Sequence, residues 1–393
     1  MDTVLFNFHD VLMLLTAFQC LLFALLLTAT KNHNQLSNLL LVGFLLCHFF
    51  IPLHELMFWG KQFRIWLLEL SPNGFFLFSH AYFLDGPLIY FFVRALLYKD
   101  FRLKVAHSWH LLPLAIYAGH MLHSFYLQDH ATKSWLIESQ HIAYSSPHLY
   151  FEALGRFLRI GYVLWCFSLV LNYRRQLLQE HANLRTSEVV WLKLMLVSFL
   201  IIFGWDGALL SIKLYGLLTN NFNLELLNVV GLSSYYLNFT AINILIFLRF
   251  TSFSAVPAVH ETPMFEAKEE KLQGVDQQIM RQLEQLMSAQ HFYANPDITL
   301  EKLAEAAGYP AKKVSLTIKQ GFQLNFYEYV NSHRITAAKL LLADHSAQAK
   351  SITDIYFAVG FNSKSVFNTF FKRLEGMTPS QFRDQHHKAA SGH

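Results

Sequence analysis

At 393 residues, with 53% hydrophobic and 16% aromatic side chains, the chain is too apolar for an ordinary soluble protein of its length. Its net charge of +4 is spread over both parts, with 16 Lys+Arg against 13 Asp+Glu in residues 1–250 and 15 against 14 in residues 251–393. Bulk basicity therefore gives no argument for nucleic acid, and any such contact has to come from local patches.

Hydropathy predicts seven spans, each near the ~20 residues that cross a bilayer core: Val11–Ala29, Leu36–Trp59, Gly74–Leu97, Trp109–Tyr126, Ala153–Asn172, Val189–Leu214 and Leu226–Phe250. Asp2 and Asp10 precede the first run and no A-x-A site follows it, so it reads as a retained span and not as a cleaved signal peptide. With the N-terminus outside, the inner loops collect Lys31, Arg94, Lys99, Arg102, Lys104, Arg174, Arg175, Arg185 and Arg249, the Lys/Arg excess expected on the cytoplasmic side. An odd number of crossings then leaves the C-terminal part in the cytoplasm.

Polar groups inside lipid are costly and usually have a reason. Cys20, Cys47 and Cys166 fall in apolar runs at unrelated spacings, which suits buried small hydrophobes and neither a disulfide framework nor a zinc site. At similar height in the outer halves of the spans lie His54, Glu55, His80, His120, His123, Arg156, Arg159, Asp206, Ser233, Ser234, Tyr235 and Asn238, with Asp85 near mid-depth. From this set a candidate ligand pocket is drawn: His54, Glu55, His80, Asp85, Arg156, Arg159, Asp206, Tyr235 and Asn238, with Glu55 or Asp206 placed to pair with Arg156 or Arg159. The competing reading is interfacial anchors and hydrogen bonds between spans. Thirteen of the twenty histidines precede residue 251, but their spacings form no closed set of haem or metal ligands, so no metal and no cofactor is assigned.

Residues 251–274, with Pro257, Pro263 and a charge cluster, have no sustained apolar period and read as a linker. A connecting helix follows within 275–295, with Ile279, Leu283, Leu286 and Met287 on one face, available either for the next domain or for a dimer contact. Beyond it the chain repeats at an offset of 52 residues: "LAEAAGYPAKKV" begins at Leu303 and "IYFAVGFNSKSV" at Ile355. In each copy a helix stops at a glycine suited to a left-handed turn, Gly308 or Gly360, and a second helix starts about three residues later, the spacing of a helix-turn-helix. Asn362 or Ser363 can cap the second of these helices, which leaves Lys364, Ser365, Asn368, Thr369 and Lys372 opposite the inward Val366, Phe367 and Phe370. A connector helix, Asn325–Ala343, joins the copies and can hold two reading helices about 34 Å apart, each in a major groove.

The tail resembles the AraC family of bacterial transcription regulators over roughly Pro296–Arg383. The stretch "ITDIYFAVGFNSKSVFNTFFKRLEGMTPSQFR" is similar to that family's closing signature, and "NPDITLEKLAEAAG" and "NFYEYVNSHRITAAKLLL" match its first half. A more restricted resemblance, through "LDGPLIYFFVRALLYKDF" and "HLLPLAIY", is to members with a seven-span membrane domain ahead of the DNA-binding module. This implies an all-α chain: a polytopic seven-helix transmembrane bundle (1–250), a linker (251–274), a connecting helix (275–295), a cytoplasmic double helix-turn-helix domain (296–388) and a short tail (389–393). Carried over by position, the resemblance implies base-facing Lys312, Ser315, Leu316, Lys364, Ser365, Asn368 and Thr369, and phosphate-facing Lys319, Lys372 and Arg373. It departs from the family at Tyr356, where alanine is usual, and at Gln323, where glycine often precedes the connector. The implied protein is not an enzyme but a regulator in the bacterial inner membrane, with double-stranded DNA, the lipid bilayer and RNA polymerase as partners, a small-molecule or lipid-soluble ligand, and a homodimer as an assembly. The alternatives are a transporter or membrane enzyme that doubles as regulator, and a tether that releases the tail by proteolysis; no duplicated half, H-E-x-x-H, G-x-S-x-G or phosphate-binding glycine loop favours the former.

Overall fold

The computed structural model describes residues 7–29, 35–98, 100–183, 190–219, 221, 223–251, 276–344 and 350–391. Nearly all of residues 251–274, read as a linker, lie outside the described residues. The chain divides into two compact units, Met1–Val170 with Ser187–Ala258, and Leu171–Thr186 with Val259–His393.

Five single helices are long and apolar enough to cross a membrane: α1 (Phe8–Ala29), α2 (Gln35–Trp59), α9 (Val190–Thr219) and α10 (Leu224–Thr251) in the first unit, and α8 (Ser146–Glu180), which belongs to it as far as Val170. A sixth candidate, Pro72–Leu97, is built from 3-10 turns at Pro72–Gly74 and Phe78–Phe83 followed by α4 (Asp85–Leu97). The fourth expected segment, Trp109–Tyr126, is also helical but changes type along its length: 3-10 over Val105–Leu111, α5 over Leu112–Met121 and a π turn over Leu122–Tyr126. It carries His107, His110, His120 and His123, and among the described residues it is absent from the six helices that pass on length and hydropathy together. Between the long helices lie α3 (Lys61–Leu70), α6 (His130–Glu138) and α7 (His141–Tyr144), short polar elements outside the hydropathy pattern. Outward-facing Phe18, Leu39, Phe157 and Phe247 are exposed by 62–67%. Apolar surface on this scale needs a non-aqueous neighbour.

The second unit contains α11 (Gln277–Ser288), α12 (Leu300–Ala307), α13 (Ala311–Gly321), α14 (Phe326–Ala343), α15 (Ile352–Ala358), α16 (Lys364–Glu375) and α17 (Pro379–Ser391). Two apolar cores meet along α14. Phe326, Tyr329 and Val330 belong to the first, with α11, α12 and α13, while Ile335, Ala338 and Leu342 belong to the second, with α15, α16 and α17. The apolar face of α11 is buried in the first core, as the packing reading of the connecting helix requires. The tail assigned to 389–393 is still helical at its start, since α17 runs to Ser391.

One stretch of the first expected domain groups with the second unit. The last part of α8 and the residues after it, Leu171–Thr186, group with the second unit, although hydropathy ends the fifth span at Asn172 and places these residues in a loop. Ala182 is fully buried in the first core of that unit, and His181 forms an antiparallel bridge with Thr299.

Candidate nucleic-acid interface and polar cavity

Both halves of the repeat form helix-turn-helix units. Thr299 caps α12 by accepting from Lys302 N at 3.2 Å, and α12 ends at Gly308, whose φ of +73° is open to glycine and costly to other residues. In the second unit Ser351 and Asp354 form a capping box on α15, and Ser363 caps α16 through Val366 N. The turn between α15 and α16 uses Gly360 at φ +93°, where an added Cβ would lie 2.8 Å from the carbonyl oxygens of Tyr293 and Ala294. Gly360 is therefore required twice, by its dihedral angle and by the close approach of another backbone.

The expected base-facing residues occupy the solvent sides of the second helix in each unit. On α13, Lys312, Ser315 and Leu316 are half-buried and Lys319 is exposed; Val314, Thr317 and Ile318 face the core. On α16, Lys364, Ser365, Thr369, Lys372 and Arg373 are exposed and Asn368 is half-buried, opposite Phe367, Phe370 and Phe371. Arg373 is engaged already: its guanidinium stacks 4.3 Å from the Phe370 ring and lies 3.4 Å from Glu328. Lys313, next to the expected reader Lys312, pairs with Asp276 at 2.9 Å, and Asp276 also caps α11. The Lys313 contact holds the Asp276 carboxyl below the usual carboxylate range.

Both departures from the family pattern are accommodated. Tyr356 is buried in the second core, between Phe357 and Phe367. Gln323 sits at φ +57°, the left-handed conformation that a glycine would take there freely. Gln323→Gly should therefore raise the stability of this unit by about 0.5 kcal/mol, the left-handed penalty less the entropy a glycine loses on folding; thermal unfolding followed by hydrogen exchange in α13 and α14 reads it.

A buried arginine joins the two units of the repeat, and the sequence reading did not single it out. Arg334, fully buried on α14 between the two cores, donates from Nε to Tyr293 O at 2.8 Å and from one terminal nitrogen to Asn295 O at 2.9 Å. The other terminal nitrogen donates to the side-chain oxygens of Asn183 at 2.9 Å and Asn331 at 3.2 Å. Burial pushes its pKa down to about 10, which still leaves the guanidinium charged at neutral pH. Asn183 in turn donates to the carbonyls of Pro296 at 2.5 Å and Gly360 at 3.0 Å, while Asn331 donates to Ala182 O at 3.0 Å. One asparagine that follows α8 thus touches the entry to the first helix-turn-helix, the turn of the second and the hub between them.

His333, next to this hub, has Nε2 3.7 Å from Glu284 Oε1, and burial holds its pKa below the ordinary value. The unfolded imidazole takes up a proton near pH ~6.5 and the folded one resists it, so this residue's contribution to stability is present above that pH and is lost as pH falls. Unfolding measured across mildly acidic pH should show that decline, and His333→Gln should flatten it.

In the first unit a cavity of about 330 Å³ opens among the helices. Of the pocket residues proposed from sequence, His54, Glu55, Arg156, Arg159, Asp206, Tyr235 and Asn238 line it. His80 and Asp85 do not. The His80 ring packs 5.2 Å from Tyr117, while Asp85, fully buried, accepts from Arg159 Nε at 2.7 Å and so lies behind the wall. Arg159 also reaches Asp206 at 3.3 Å. Arg156 pairs with Glu152 and donates to the Asp206 carbonyl, and Lys213 meets both Glu152 oxygens at 3.0 and 3.1 Å. Glu55 takes a different partner set from the one expected: Tyr82 donates to it at 2.5 Å and Tyr235 at 3.3 Å. Sequence reasoning passed over Glu152 and Lys213, although the i,i+4 spacing of Glu152 and Arg156 was visible. Among the described residues no three His, Cys, Asp or Glu side chains converge as a metal site, and the three cysteines are buried and free.

Residues 303–385 match the family model described as a helix-turn-helix domain. The chain is 29% identical over 86 residues to the HTH-type transcriptional regulator YkgA of Escherichia coli, covering 22% of this chain and 35% of that protein. It is 32% identical over 93 residues to an HTH-type transcriptional regulator of Staphylococcus aureus and 30% identical over 95 residues to YtdP of Bacillus subtilis, an HTH-type regulator, in each case over 24% of this chain and 12% of the relative. The chain thus spans about a third or less of the length of these curated relatives. No solved structure matches it. The match and the geometry agree on an AraC-type helix-turn-helix domain at the C-terminal end, preceded by helices apolar enough for a membrane.

Proposed function

We propose that this chain, with its AraC-type C-terminal domain, is a one-component transcription regulator integrated in the bacterial inner membrane. Its helical bundle receives a signal, and the double helix-turn-helix binds specific DNA in adjacent major grooves from the cytoplasmic side. The observation that carries this reading is the course of one helix: α8 begins in the apolar unit, and the residues at its end are hydrogen-bonded into the joint between the two DNA-reading units. A change in the bundle that moves this segment would act on the hub that sets the two reading helices, and a coupling of about 1–3 kcal/mol suffices for a useful switch.

The test is footprinting of genomic fragments by the full chain in nanodiscs. Protection of a short site at moderate salt, with two contacts one helical turn apart, supports the reading; protection indifferent to sequence removes it. Lys372→Ala, on the exposed face of α16, should weaken binding to every DNA alike and reduce the salt-dependence slope by about 1, whereas Ser365→Ala should alter preference at one base position.

A further inference from the structure

The charges around the cavity are unequal in how well they are satisfied. Its wall carries four carboxylates, Asp10, Glu55, Glu152 and Asp206, and three cations, Arg156, Arg159 and Lys213. Every cation has a carboxylate partner. Two carboxylates form no direct ion pair among the described residues: Asp10, which accepts from the backbone N–H of Asn7, and Glu55, which accepts from the Tyr82 and Tyr235 hydroxyls. A second feature lies in the same wall. Nδ1 of His148 is buried without a hydrogen-bond partner, so a polar atom is left over in the lining of the same cavity.

We propose that the cavity binds a small organic cation that also bears a polar group, its ammonium seated against Glu55 and the rings of Tyr82 and Tyr235. This rests on reading the first unit as the sensor. The physical reasons are two. A desolvated carboxylate without a direct ion pair favours a cationic ligand and disfavours an anionic one, since an added anion would meet negative charge with no free protein cation to receive it. Tyrosine rings whose hydroxyls reach a carboxylate suit an ammonium group in particular, because ring quadrupoles and the carboxylate attract the same charge. The volume is that of a ligand site, larger than ordered water alone requires.

The experiment is titration calorimetry on the full chain in nanodiscs with choline, its neutral carbon isostere 3,3-dimethylbutan-1-ol, hexylamine and hexanoate. The expected result is binding of choline or hexylamine, with the neutral isostere weaker than choline by about tenfold or more and hexanoate silent. Glu55→Gln should weaken choline by about tenfold, while Tyr235→Phe, which frees one carboxylate oxygen, should leave it within about threefold. Should Glu55→Gln fail to fold, the comparison of choline with its isostere on the natural sequence still decides the matter. Equal affinity for the charged and neutral probes, tighter binding of hexanoate, or no binding of either cation at about 10 mM overturns the proposal. Measuring DNA protection with and without the cation separates the two claims: binding without any change in protection retains the ligand class and removes the sensor reading, and loss of sequence-specific protection altogether removes the regulator.

Discussion

Arg334→Ala lowers the stability of the DNA-reading unit by roughly 3–5 kcal/mol and abolishes sequence-specific protection of DNA. The alanine removes the fully buried guanidinium and leaves the carbonyls of Tyr293 and Asn295 and the side-chain oxygens of Asn183 and Asn331 without their donor, with Asn331 fully buried and the bonds to the other three partly buried. Each buried acceptor left unpaired costs about 1–3 kcal/mol, less whatever the two asparagines recover by turning toward each other. Arg334→Met separates hydrogen bonding from packing, because it fills much of the same volume and supplies no donor. It should be nearly as damaging as alanine; a methionine variant within ~1 kcal/mol of the natural protein would show that volume, and not the fork of donors, matters at this position. Asn183→Ala should cost less, since Arg334 keeps its other partners, and the double variant should reveal a coupling between the two of about 0.5–3 kcal/mol. Chemical denaturation of the full chain, read by hydrogen exchange in α14 and α16, measures all of these. That coupling is also the quantity through which α8 would influence DNA binding.

The reading helices were legible because they obey the simplest rule, an apolar stripe at helical spacing opposite a polar one, written twice at a constant offset. Arg334 obeys the same rule and was still passed over. It lies four residues from Val330 and four from Ala338, both buried, so it occupies the inward stripe of α14, and an arginine on an inward stripe needs partners. The end of α8 gave no such signal. Its last turns contain Arg174 and Arg175, which read as the basic flank of a span, and an asparagine in a charged stretch looks solvated until a distant backbone is known to meet it. The fourth apolar segment was legible as helix but not as a change of helix type, since histidines lower hydropathy without altering helical periodicity. In the bundle, depth alone gathered seven of the proposed pocket residues around one cavity. Depth does not show direction around a helix, which is why His80 and Asp85 were grouped with residues they stand beside or behind.

Asp85 shows what that distinction means energetically, and Asp85→Asn should destabilise the apolar unit by about 3 kcal/mol. The carboxylate is fully buried at the first turn of α4, where the positive end of the helix dipole favours an anion, and it holds Arg159 Nε at 2.7 Å. Arg159 is only 3% exposed, and its guanidinium lies 4.0 Å from the Phe203 ring and 5.2 Å from Tyr82, so it cannot reach water without disturbing two aromatic side chains. The asparagine keeps the shape and one acceptor while removing the charge, leaving Asp206, at 3.3 Å and partly exposed, as the counter-ion. A buried ion pair is costly to break and cheap to delete as a whole, so Asp85→Asn combined with Arg159→Met should recover most of the loss. Thermal unfolding in nanodiscs, followed by tryptophan fluorescence, gives the three values; a single variant within ~1 kcal/mol of the natural protein, or a double variant worse than the single, would mean that Arg159 is held by other groups. Because Asp85 stands behind the cavity and Arg159 in its wall, the single variant should also loosen the Arg159–Asp206 contact and weaken any cation bound at Glu55, whereas the double variant should restore stability and leave that binding weakened. Stability and ligand affinity would then separate along one pair of residues, which is the behaviour of a residue that positions the wall without touching what it holds.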